Sequence, residues 1–569
     1  MDPIDNSMPS CSWEDPNWVY HGIEETLGAM VTLESTPPRD EPTSCLTDAE
    51  LYGILCDNII DEMETDESEP EPEPELEVQN IEEVPAINVP DREWCPGNPC
   101  DYPVIPFTQT PGLKEDIVDT PIGYFDAICN MELLQLLTDC TNNYGEREQS
   151  SASADKSRSK SWKAISCEEL KLFFGLLLHM GFIKLNRLCD YWKQDIFFNQ
   201  PIFSLTMARN RFLLILRMLC VSIGETATSY SKIKNIIDFF NKRMSELYYP
   251  TKNIVIDESM MLWRGRLRFR QYMKGKKNKY GLKFYALADQ SGVILKLHLY
   301  GGASDVIVGG LNHVNKVVMH LIKEYLNVGH HLFMDNFYTS VNLIEDLYYK
   351  NTYCTGTLRK FRKNNPQLVV KTKLKKGELC IQHKNNVCII KWLDKREVMA
   401  ISSKYKGNFN IITNRRGQSK AKPEMITKYN KNMNAIDKHD QMLSYYTCEH
   451  KSLRWYKKVI IHIMQIVMIN SYFLYNEYST RKLSLYDFRL SVIKSIVEPY
   501  IEREQQIPLH RQVHCLMKLE KNYHGKTKRK RCVHCWRTKK GRVMSLFGCD
   551  TCPQQPGLCM ECFRPYHKY

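Results

Sequence analysis

Two aspartates of this sequence lie inside apolar segments, where a carboxylate is costly to bury unless a partner neutralises it. Asp257 follows the residues Ile-Val-Ile at 254–256, and Asp335 follows Leu-Phe-Met at 332–334. Two further aspartates, Asp437 and Asp440, are three residues apart, so on a helix they project from one face.

Carboxylates of this kind are suited to a hard divalent cation. Mg²⁺ prefers carboxylate oxygens and keeps some of its waters. Two such ions about 4 Å apart can activate a nucleophile and stabilise the leaving oxygen of a phosphodiester. We therefore treat Asp257, Asp335, Asp437 and Asp440 as candidate catalytic ligands of Mg²⁺ or Mn²⁺. The alternative for each residue taken alone is a turn, a helix cap or an ion pair.

A basic segment surrounds the first of these aspartates. Residues 252–283 hold ten Lys or Arg and only two acids. Alternate arginines on a strand share one face, which could clamp DNA phosphates; a solvated edge strand protected by charge is the alternative. The candidate DNA-binding residues are Arg264, Arg266, Arg268, Arg270, Lys274, Lys276 and Lys277.

The end of the chain carries three Cys-x2-Cys pairs. This spacing lets two thiolates reach one tetrahedral zinc. The pairs and one nearby histidine supply seven ligands, whereas two closed sites need eight, and Cys515, His524 and His534 are local competitors for the last place. A RING- or PHD-like interaction module is the alternative to a DNA reader. The seven ligands are Cys532, Cys535, Cys549, Cys552, Cys559, Cys562 and His567.

A dense cluster of positive charge accompanies these cysteines. Residues 521–549 hold ten Lys or Arg and no acid. The run KTKRKR predicts either a nuclear localisation signal or contacts with DNA phosphates. Its basic residues are Lys526, Lys528, Arg529, Lys530 and Arg531.

The elements that must position these residues follow from the apolar periodicity. Helices are predicted over 167–185, 204–221 and 231–249. Strands at 253–259, 280–288 and 293–300 follow, then a helix over 311–326, a strand at 331–337 and a helix over 340–349, which is an α/β order. Residues 360–425 are predicted to be an insertion with short β-like runs such as 387–392. A polar helix over 429–446 and an apolar helix over 453–478 come next.

Composition and charge divide the chain. With 569 residues, 43% of them hydrophobic, it exceeds one domain and is neither wholly disordered, collagenous nor a disulfide scaffold. Residues 1–100 hold 26 acids and two basic residues, so they are predicted to be a disordered tail that solubilises the chain, masks the basic body or binds a partner. The remainder carries about +35, which favours a nucleic-acid partner. The apolar stretch 459–475 contains polar residues, which indicates a buried helix instead of a membrane span.

Several sequence blocks, in order, resemble the piggyBac family of DNA transposases. The blocks span about residues 103–569 and end with the Cys/His module. They read IDES (256–259), WRGRLRFRQY (263–272), KYGLKFYALAD (279–289), MDNFYTS (334–340), YNKNMNAIDKHDQM (429–442), RWYKK (454–458) and INSY (469–472).

The resemblance implies a cut-and-paste transposase acting at TTAA sites through hairpin transposon ends. It assigns catalysis to Asp257, Asp335 and Asp437, with Asp440 as an additional acid. It also places Trp455 near the catalytic centre, where stacking on an unpaired base is one role and core packing the other; Lys457 and Lys458 beside it are further candidate DNA contacts. Relatives usually have small glycine-containing residues where this chain has 434–436.

For the terminal module, the resemblance selects His514 as the eighth ligand. An interleaved, cross-brace arrangement would place Cys532, Cys535, Cys559 and Cys562 on one Zn²⁺, and the remaining ligands on the other. Relatives often space the last two cysteines by three residues, whereas two separate Cys559 from Cys562.

The expected architecture is multidomain, with α+β and all-α parts. An acidic disordered tail (1–102) precedes a helical dimerisation and DNA-binding domain in two parts (103–251 and 447–510). These flank an RNase H-like catalytic core (252–446) with a β-rich insertion (about 360–425), and a two-zinc domain (511–569) follows. We expect a nuclear homodimer that binds terminal inverted repeats and TTAA target DNA. The alternatives are a domesticated, catalytically silent DNA-binding protein and a zinc-module protein-interaction factor.

Overall fold

The computed structural model describes residues 93–99, 103–152, 158–222, 230–506 and 514–567, except 275, 277, 304, 414–418, 453, 522, 524, 539–540, 551 and 553. The acidic tail predicted for 1–102 therefore lies outside the described residues up to position 92. Residues 93–99, near the end of the predicted tail, are part of the fold, which corrects the predicted boundary at residue 102. Strand β1 (Cys95–Pro96) pairs with a sheet edge, and Trp94 packs against the core.

A helical unit precedes the sheet. Side-chain caps define three of its helix starts: Thr120 Oγ1, Asn130 Oδ1 and Ser166 Oγ each accept a backbone N–H three residues later. The predicted helices 167–185 and 204–221 are shorter in the structure. The α-helices are α1 (Pro121–Ile128), α2 (Met131–Ser150), α3 (Cys167–His179), α4 (Pro201–Thr206), α5 (Arg209–Met218) and α6 (Ser231–Leu247).

A ten-stranded mixed sheet forms the centre of the described fold. Its first strands are β4 (Asn253–Leu262), β5 (Gln271–Tyr272), β6 (Tyr280–Asp289), β7 (Ile294–Leu299), β8 (His331–Met334) and β9 (Tyr353–Thr357). Strands β4, β6 and β7 are antiparallel neighbours, and β8 and β9 continue parallel to β4. Helices α7 (His313–Ile322) and α8 (Val341–Tyr349) lie between these strands in sequence.

The predicted insertion is β-rich, and it extends the same sheet beyond β9. The strand order is β1-β10-β11-β12-β9-β8-β4-β6-β5, with β7 pairing β6. A separate hairpin of β13 and β14 follows, and the short strands β2 and β3 pair elsewhere. The added elements are β2 (Gly112–Leu113), β3 (Tyr248–Tyr249), α9 (Gln367–Lys371), β10 (Leu379–Lys384), β11 (Val387–Leu393), β12 (Glu397–Ser402), β13 (Phe409–Thr413) and β14 (Ser419–Pro423).

The single helix predicted over 429–446 is wrong, because the structure has two helices there. They are α10 (Glu424–Asn432) and α11 (Ala435–Tyr445). Asparagine side chains compete with helical backbone bonds, and Asn432 does so at the break. Its amide donates to Lys428 O at 2.8 Å and accepts from the Asn253 side chain at 3.3 Å. The break therefore fixes the start of α11 against the start of β4.

Two long helices complete the core. They are α12 (Trp455–Tyr478) and α13 (Leu485–Gln506). Helix α12 is long and apolar enough to cross a membrane, but 89% of its most apolar window is buried in the protein. Its Asn470 amide bonds both the N–H and the C=O of Ile294 on strand β7, at 2.9 and 2.8 Å. The apolar stretch is a core helix, as its polar residues predicted.

The terminal module consists of short elements only. They are β15 (Leu516–Lys518), β16 (Lys530–Arg531), α14 (Val533–Arg537), β17 (Met544–Ser545), β18 (Phe547–Cys549) and α15 (Met560–Tyr566). Its own small core is built largely from buried cysteines around Leu558. A unit this small usually depends on metal ions or disulfides for stability.

Candidate active site

The parallel register of β4 and β8 places the first two aspartates side by side. Ile256 pairs with Met334, so Asp257 and Asp335 each follow a paired position on neighbouring strands. Asp257 is 8% exposed. Asp335 Oδ1 accepts the backbone N–H of Phe337 at 2.8 Å, which holds the carboxylate at the end of the strand.

Helix α11 brings the other two acids to the middle of β4. The Ser259 hydroxyl donates to Asp440 Oδ1 at 2.6 Å. Asp437 lies one turn earlier on the helix and is largely exposed. The structure thus gathers beside Asp257 three acids that follow it by 78, 180 and 183 positions in sequence.

Lys276 lies among these carboxylates instead of projecting into solvent. Its ammonium Nζ is 3.0 Å from Asp437 Oδ1. The charges of Asp257 and Asp440 act on the same ammonium, and together they raise the pKa of Lys276 against the opposing effect of burial.

Burial changes the protonation of the site. It raises the pKa of Asp257 to about 8, against the lowering effect of Lys276, and the pKa of Asp440 to about 6. Burial also raises the pKa of Asp335. A cation beside such carboxyl groups favours their charged form against the effect of burial, so this donor set fits a divalent cation.

The four aspartates are spaced more widely than the ligands of a closed metal site. Among the residues that the structure describes, only two Cys/His sets bring three or more metal-ligating atoms within 4.8 Å of one another. Lys276 pairs with Asp437, and the charges of Asp257 and Asp440 act on it.

Sequence reasoning missed a buried ion pair beside the aspartates. Lys283 Nζ is 3.2 Å from Glu258 Oε1, and both side chains are at most 10% exposed. The ammonium also lies 4.5 Å from the ring of Phe337. Burial pushes the pKa of Glu258 up, but the charge of Lys283, together with hydrogen bonds to Asp257, Tyr338 and Lys283, more than offsets this and leaves the pKa lowered. The pair connects the neighbour of Asp257 to the loop after Asp335.

Two arginines hold the same loop from the other side and were also missed. Arg359 Nε donates to Asn336 Oδ1 at 3.3 Å, and Arg362 Nη2 donates to Asn336 O at 2.9 Å. They lie in the basic run after β9, which is the one sequence signal that could have pointed to them.

The predicted strand of alternating arginines is wrong. Residues 263–270 form an irregular loop, because Trp263 and Phe269 are buried and anchor both of its ends. Arg270 donates back to Arg264 O at 3.2 Å. Exposed members of the predicted DNA-binding set are Arg264, Arg266, Arg268 and Lys274, whereas Lys277 lies outside the described residues.

The basic cluster at the start of α12 is engaged in packing. Trp455 is 8% exposed and packs edge-on against Phe269 with ring centroids 5.2 Å apart. Lys457 is buried and donates to Leu216 O at 3.1 Å. Lys458 is 3.1 Å from Glu449 Oε2. These positions do not support the predicted DNA contacts of the three residues, and they favour the core-packing alternative for the tryptophan.

The terminal module brings its eight predicted ligands together in two sets of four. One set is Cys532, Cys535, Cys559 and Cys562; the other is His514, Cys549, Cys552 and His567. These are the two interleaved sets expected from the resemblance.

Distances within the sets match a tetrahedral metal. Cys535 Sγ and Cys562 Sγ are 3.4 Å apart, and Cys552 Sγ is 3.3 Å from His567 Nε2. Ligands on one zinc lie about 3.3 to 3.8 Å apart, given Zn–S near 2.3 Å. His567 Nδ1 donates to Phe563 O at 2.8 Å, which leaves Nε2 for a metal. The donor chemistry therefore fits Zn²⁺.

The exposed end of the KTKRKR run also lies in this module. Arg531 stacks over the ring of Trp536 at 4.9 Å, and Trp536 is 56% exposed. Lys528 is 3.7 Å from the exposed Glu520. This surface is strongly basic.

Comparison with known proteins agrees with this architecture. Residues 120–472 match the family model described as Transposase IS4, and residues 510–568 match a DDE_Tnp_1-like zinc finger. Human PiggyBac transposable element-derived protein 3 is 24% identical over 431 residues, covering 71% of this chain and 70% of that protein. Human PiggyBac transposable element-derived protein 2 is 21% identical, covering 62% of this chain and 61% of that protein.

A solved structure shares the fold. It is a cryo-EM structure of piggyBac transposase in a synaptic complex with hairpin DNA, with a TM-score of 0.61 and 19% identity, covering 80% of this chain and 100% of that one. The family model covers more than half of the chain, and the relatives carry the piggyBac name. This chain belongs to the Transposase IS4 family and, within it, is a piggyBac-family transposase.

Proposed function

We propose that this chain is an active, metal-dependent DNA transposase that cleaves and joins phosphodiester bonds beside Asp257 in the middle of β4 and Asp335 at the carboxyl end of β8. The observation that carries the proposal is the gathering of Asp257 and Asp335 by parallel register, with Asp440 joined to the same strand through Ser259.

The residues have separate parts in this chemistry. Asp257, Asp335 and Asp437 would hold divalent metal ions, Mg²⁺ or Mn²⁺, with Asp440 as an additional acid. When bound, such ions activate a water or a 3′-OH and stabilise the leaving oxygen. The Glu258–Lys283 pair and the two arginines on Asn336 position the loop that carries Asp335. Strand transfer depends on such positioning because phosphoryl transfer needs in-line geometry.

The core that presents these residues is proposed to be RNase H-like. Three antiparallel strands (β4, β6 and β7) followed by two parallel ones (β8 and β9) support this assignment. The insertion then extends the sheet on the far side of β9.

The DNA path is proposed to run over the exposed basic residues near the site. Arg264, Arg266, Arg268 and Lys274 are exposed. In addition, a cavity of about 580 Å³ adjoins the Asp335 loop through Arg362. Its cationic lining residues are Lys360, Arg362, Lys363, Lys371, Lys373 and Lys391. Phosphate binding by such residues is strongly salt-dependent.

By analogy with the solved relative, which was bound to hairpin DNA, we propose that the substrate is a pair of transposon ends and a TTAA target. A 3′-OH freed at each end would attack the opposite strand to close a hairpin, which is later reopened and joined to the target. Two ends must be cut together, which favours a homodimer. The two Cys/His sets would each hold Zn²⁺ in a module that reads terminal DNA, and KTKRKR would direct the protein to the nucleus.

Excision from a donor plasmid tests the proposal. The plasmid carries candidate inverted repeats from the flanks of the gene, ended by TTAA. We expect scarless repair with the wild type and none with Asp335→Asn. Asp139→Asn, a surface substitution on α2, is the matched control and is expected to excise normally. Salt-sensitive binding to the repeats without excision by the wild type would replace the enzyme with a silent DNA-binding protein.

A further inference from the structure

Lys276 lies beside three of the four aspartates, Asp257, Asp437 and Asp440. It lies in the turn between β5 and β6, which is closed by the Met273 N–H donating to Lys279 O at 2.8 Å. The side chain is 22% exposed and makes a 3.0 Å ion pair with Asp437. Asp257 and Asp440 act on the same ammonium electrostatically. A single lysine thus interacts with three of the four acids.

This arrangement is unusual for the basic segment to which Lys276 belongs. Its neighbours Lys274 and Lys279 are exposed, as are three of the arginines at 264–270. Only Lys276, among the described lysines of this turn, points its charge at the carboxylates. The same turn therefore presents charge both to solvent, where a phosphate can bind, and to the acids.

An ammonium at this place competes with a metal ion. A point charge with three N–H donors neutralises carboxylates much as a cation does. A divalent ion held by three of the carboxylates would have to displace it and draw them together, since no three of their oxygens lie within 4.8 Å of one another. A DNA phosphate near the turn offers the lysine an alternative anionic partner.

We propose that Lys276 is an internal counter-cation of the catalytic carboxylates. When DNA binds, Lys276 moves from the carboxylates to a DNA phosphate, so that metal loading depends on bound DNA. The inference rests on the proposed function of the site. Its consequence is that the DNA-free protein holds its metals weakly, so that cleavage chemistry is assembled only on a substrate.

Manganese binding tests this without any measure of activity. Free Mn²⁺ is followed by electron paramagnetic resonance during titration of zinc-loaded, DNA-free protein at constant ionic strength. The neutral variants Lys276→Met and Lys276→Gln are expected to bind Mn²⁺ at least about tenfold more tightly than wild type, because one opposing charge a few ångströms away is removed. Lys279→Met, in the same turn but exposed, is expected to match wild type.

A second arm adds DNA. The Mn²⁺ titration is repeated on wild type and on Asp257→Asn in the presence of an oligonucleotide duplex. Mn²⁺ bound by the DNA itself is the same in both samples, so it cancels in the difference between the two proteins. We expect the Asp257-dependent Mn²⁺ affinity of the wild type to rise to that of DNA-free Lys276→Met.

The outcomes separate the two ideas. If both neutral variants bind Mn²⁺ no more tightly than wild type, the counter-cation role is overturned while the metal site stands. If no Mn²⁺ binding depends on Asp257 in either arm, the proposed function fails together with the inference. Tightening in Lys279→Met as large as in Lys276→Met would reduce the effect to general charge and would also overturn the inference.

Discussion

Ser259 and Asp440 are joined by a 2.6 Å hydrogen bond between residues 181 positions apart in sequence. The bond links strand β4, two residues beyond Asp257, to the helix that also carries Asp437. Because α11 begins afresh after the break at Asn432, this contact helps to fix the rotation of the helix relative to the sheet.

Loss of the Ser259–Asp440 hydrogen bond should impair metal binding at the site more than it destabilises the fold. We expect Ser259→Ala to lower the free energy of unfolding by about 1 kcal/mol, the usual net worth of one hydrogen bond. We also expect it to raise the Mg²⁺ concentration needed for half-maximal excision, since Asp440 loses its anchor. Ser444→Ala on the exposed side of the same helix is the control. Equal metal dependence in both variants would contradict a positioning role.

The Glu258–Lys283 pair should contribute more to the free energy of unfolding than the Ser259–Asp440 bond, because removing one partner leaves the other charge buried and unpaired. We expect Lys283→Met to destabilise the protein by about 3 kcal/mol in urea unfolding. The double variant Glu258→Gln with Lys283→Met should recover part of this loss, since neither charge remains unpaired. By comparison, Lys234→Met, which breaks the exposed pair with Asp238, should cost about 0.5 kcal/mol or less. A double variant as unstable as the sum of its single variants would show that the two residues are not coupled.

Stability without added magnesium should fall as the pH rises. The pKa of Asp257 is raised to about 8 in the folded protein by burial, whereas the unfolded value is near 4. Between these values the folded state binds more protons than the unfolded state, so the free energy of unfolding decreases from pH 4 to pH 8. Asp257→Asn removes the titrating group and should gain stability over wild type across this range. Parallel pH profiles of the two proteins would refute the buried, proton-holding carboxyl.

The number of zinc ions bound per chain should show whether the two interleaved ligand sets form. We expect two zinc ions per wild-type chain and one in either Cys562→Ser or His514→Ala. After exchange with Co²⁺, the remaining site in His514→Ala should have the more intense thiolate charge-transfer absorption, since it holds four cysteines. His534→Ala, which substitutes a competing histidine outside both sets, should keep both ions. A variant Cys562→Ser that lost both metals would indicate that the sets do not form independently.

Local signatures pointed to Asp257, Asp335 and seven of the eight Cys/His ligands, whereas His514 and the grouping of the acids came from the resemblance. Asp257 and Asp335 interrupt apolar runs, and paired cysteines at fixed spacing are rare without a metal. Burial of an aspartate in an apolar strand does not by itself indicate a functional site. Asp289 is as deeply buried as any acid among the described residues. It is satisfied by the Thr251 N–H and hydroxyl, both at 2.7 Å, so its burial is structural.

Side-chain direction could not be predicted from the same pattern. The arginines at 264–270 alternate as on a strand, yet two buried aromatic residues pull the segment into a loop. Lys457 reads as a surface cation but caps the end of α5 by bonding Leu216 O. Lys276 reads as a phosphate contact but forms an ion pair with Asp437, one of the proposed metal ligands. In each case a contact distant in sequence decides where the charge points.

The most direct test of the central claim is strand cleavage by the purified protein. Labelled DNA ending in the candidate repeat is incubated with Mg²⁺, and DNA binding is measured on the same samples. We predict that wild type nicks the end and forms a hairpin, whereas Asp335→Asn binds equally well and cleaves at least about 100-fold more slowly. Cleavage by Asp335→Asn at the wild-type rate would contradict the assignment of catalysis to this carboxylate site.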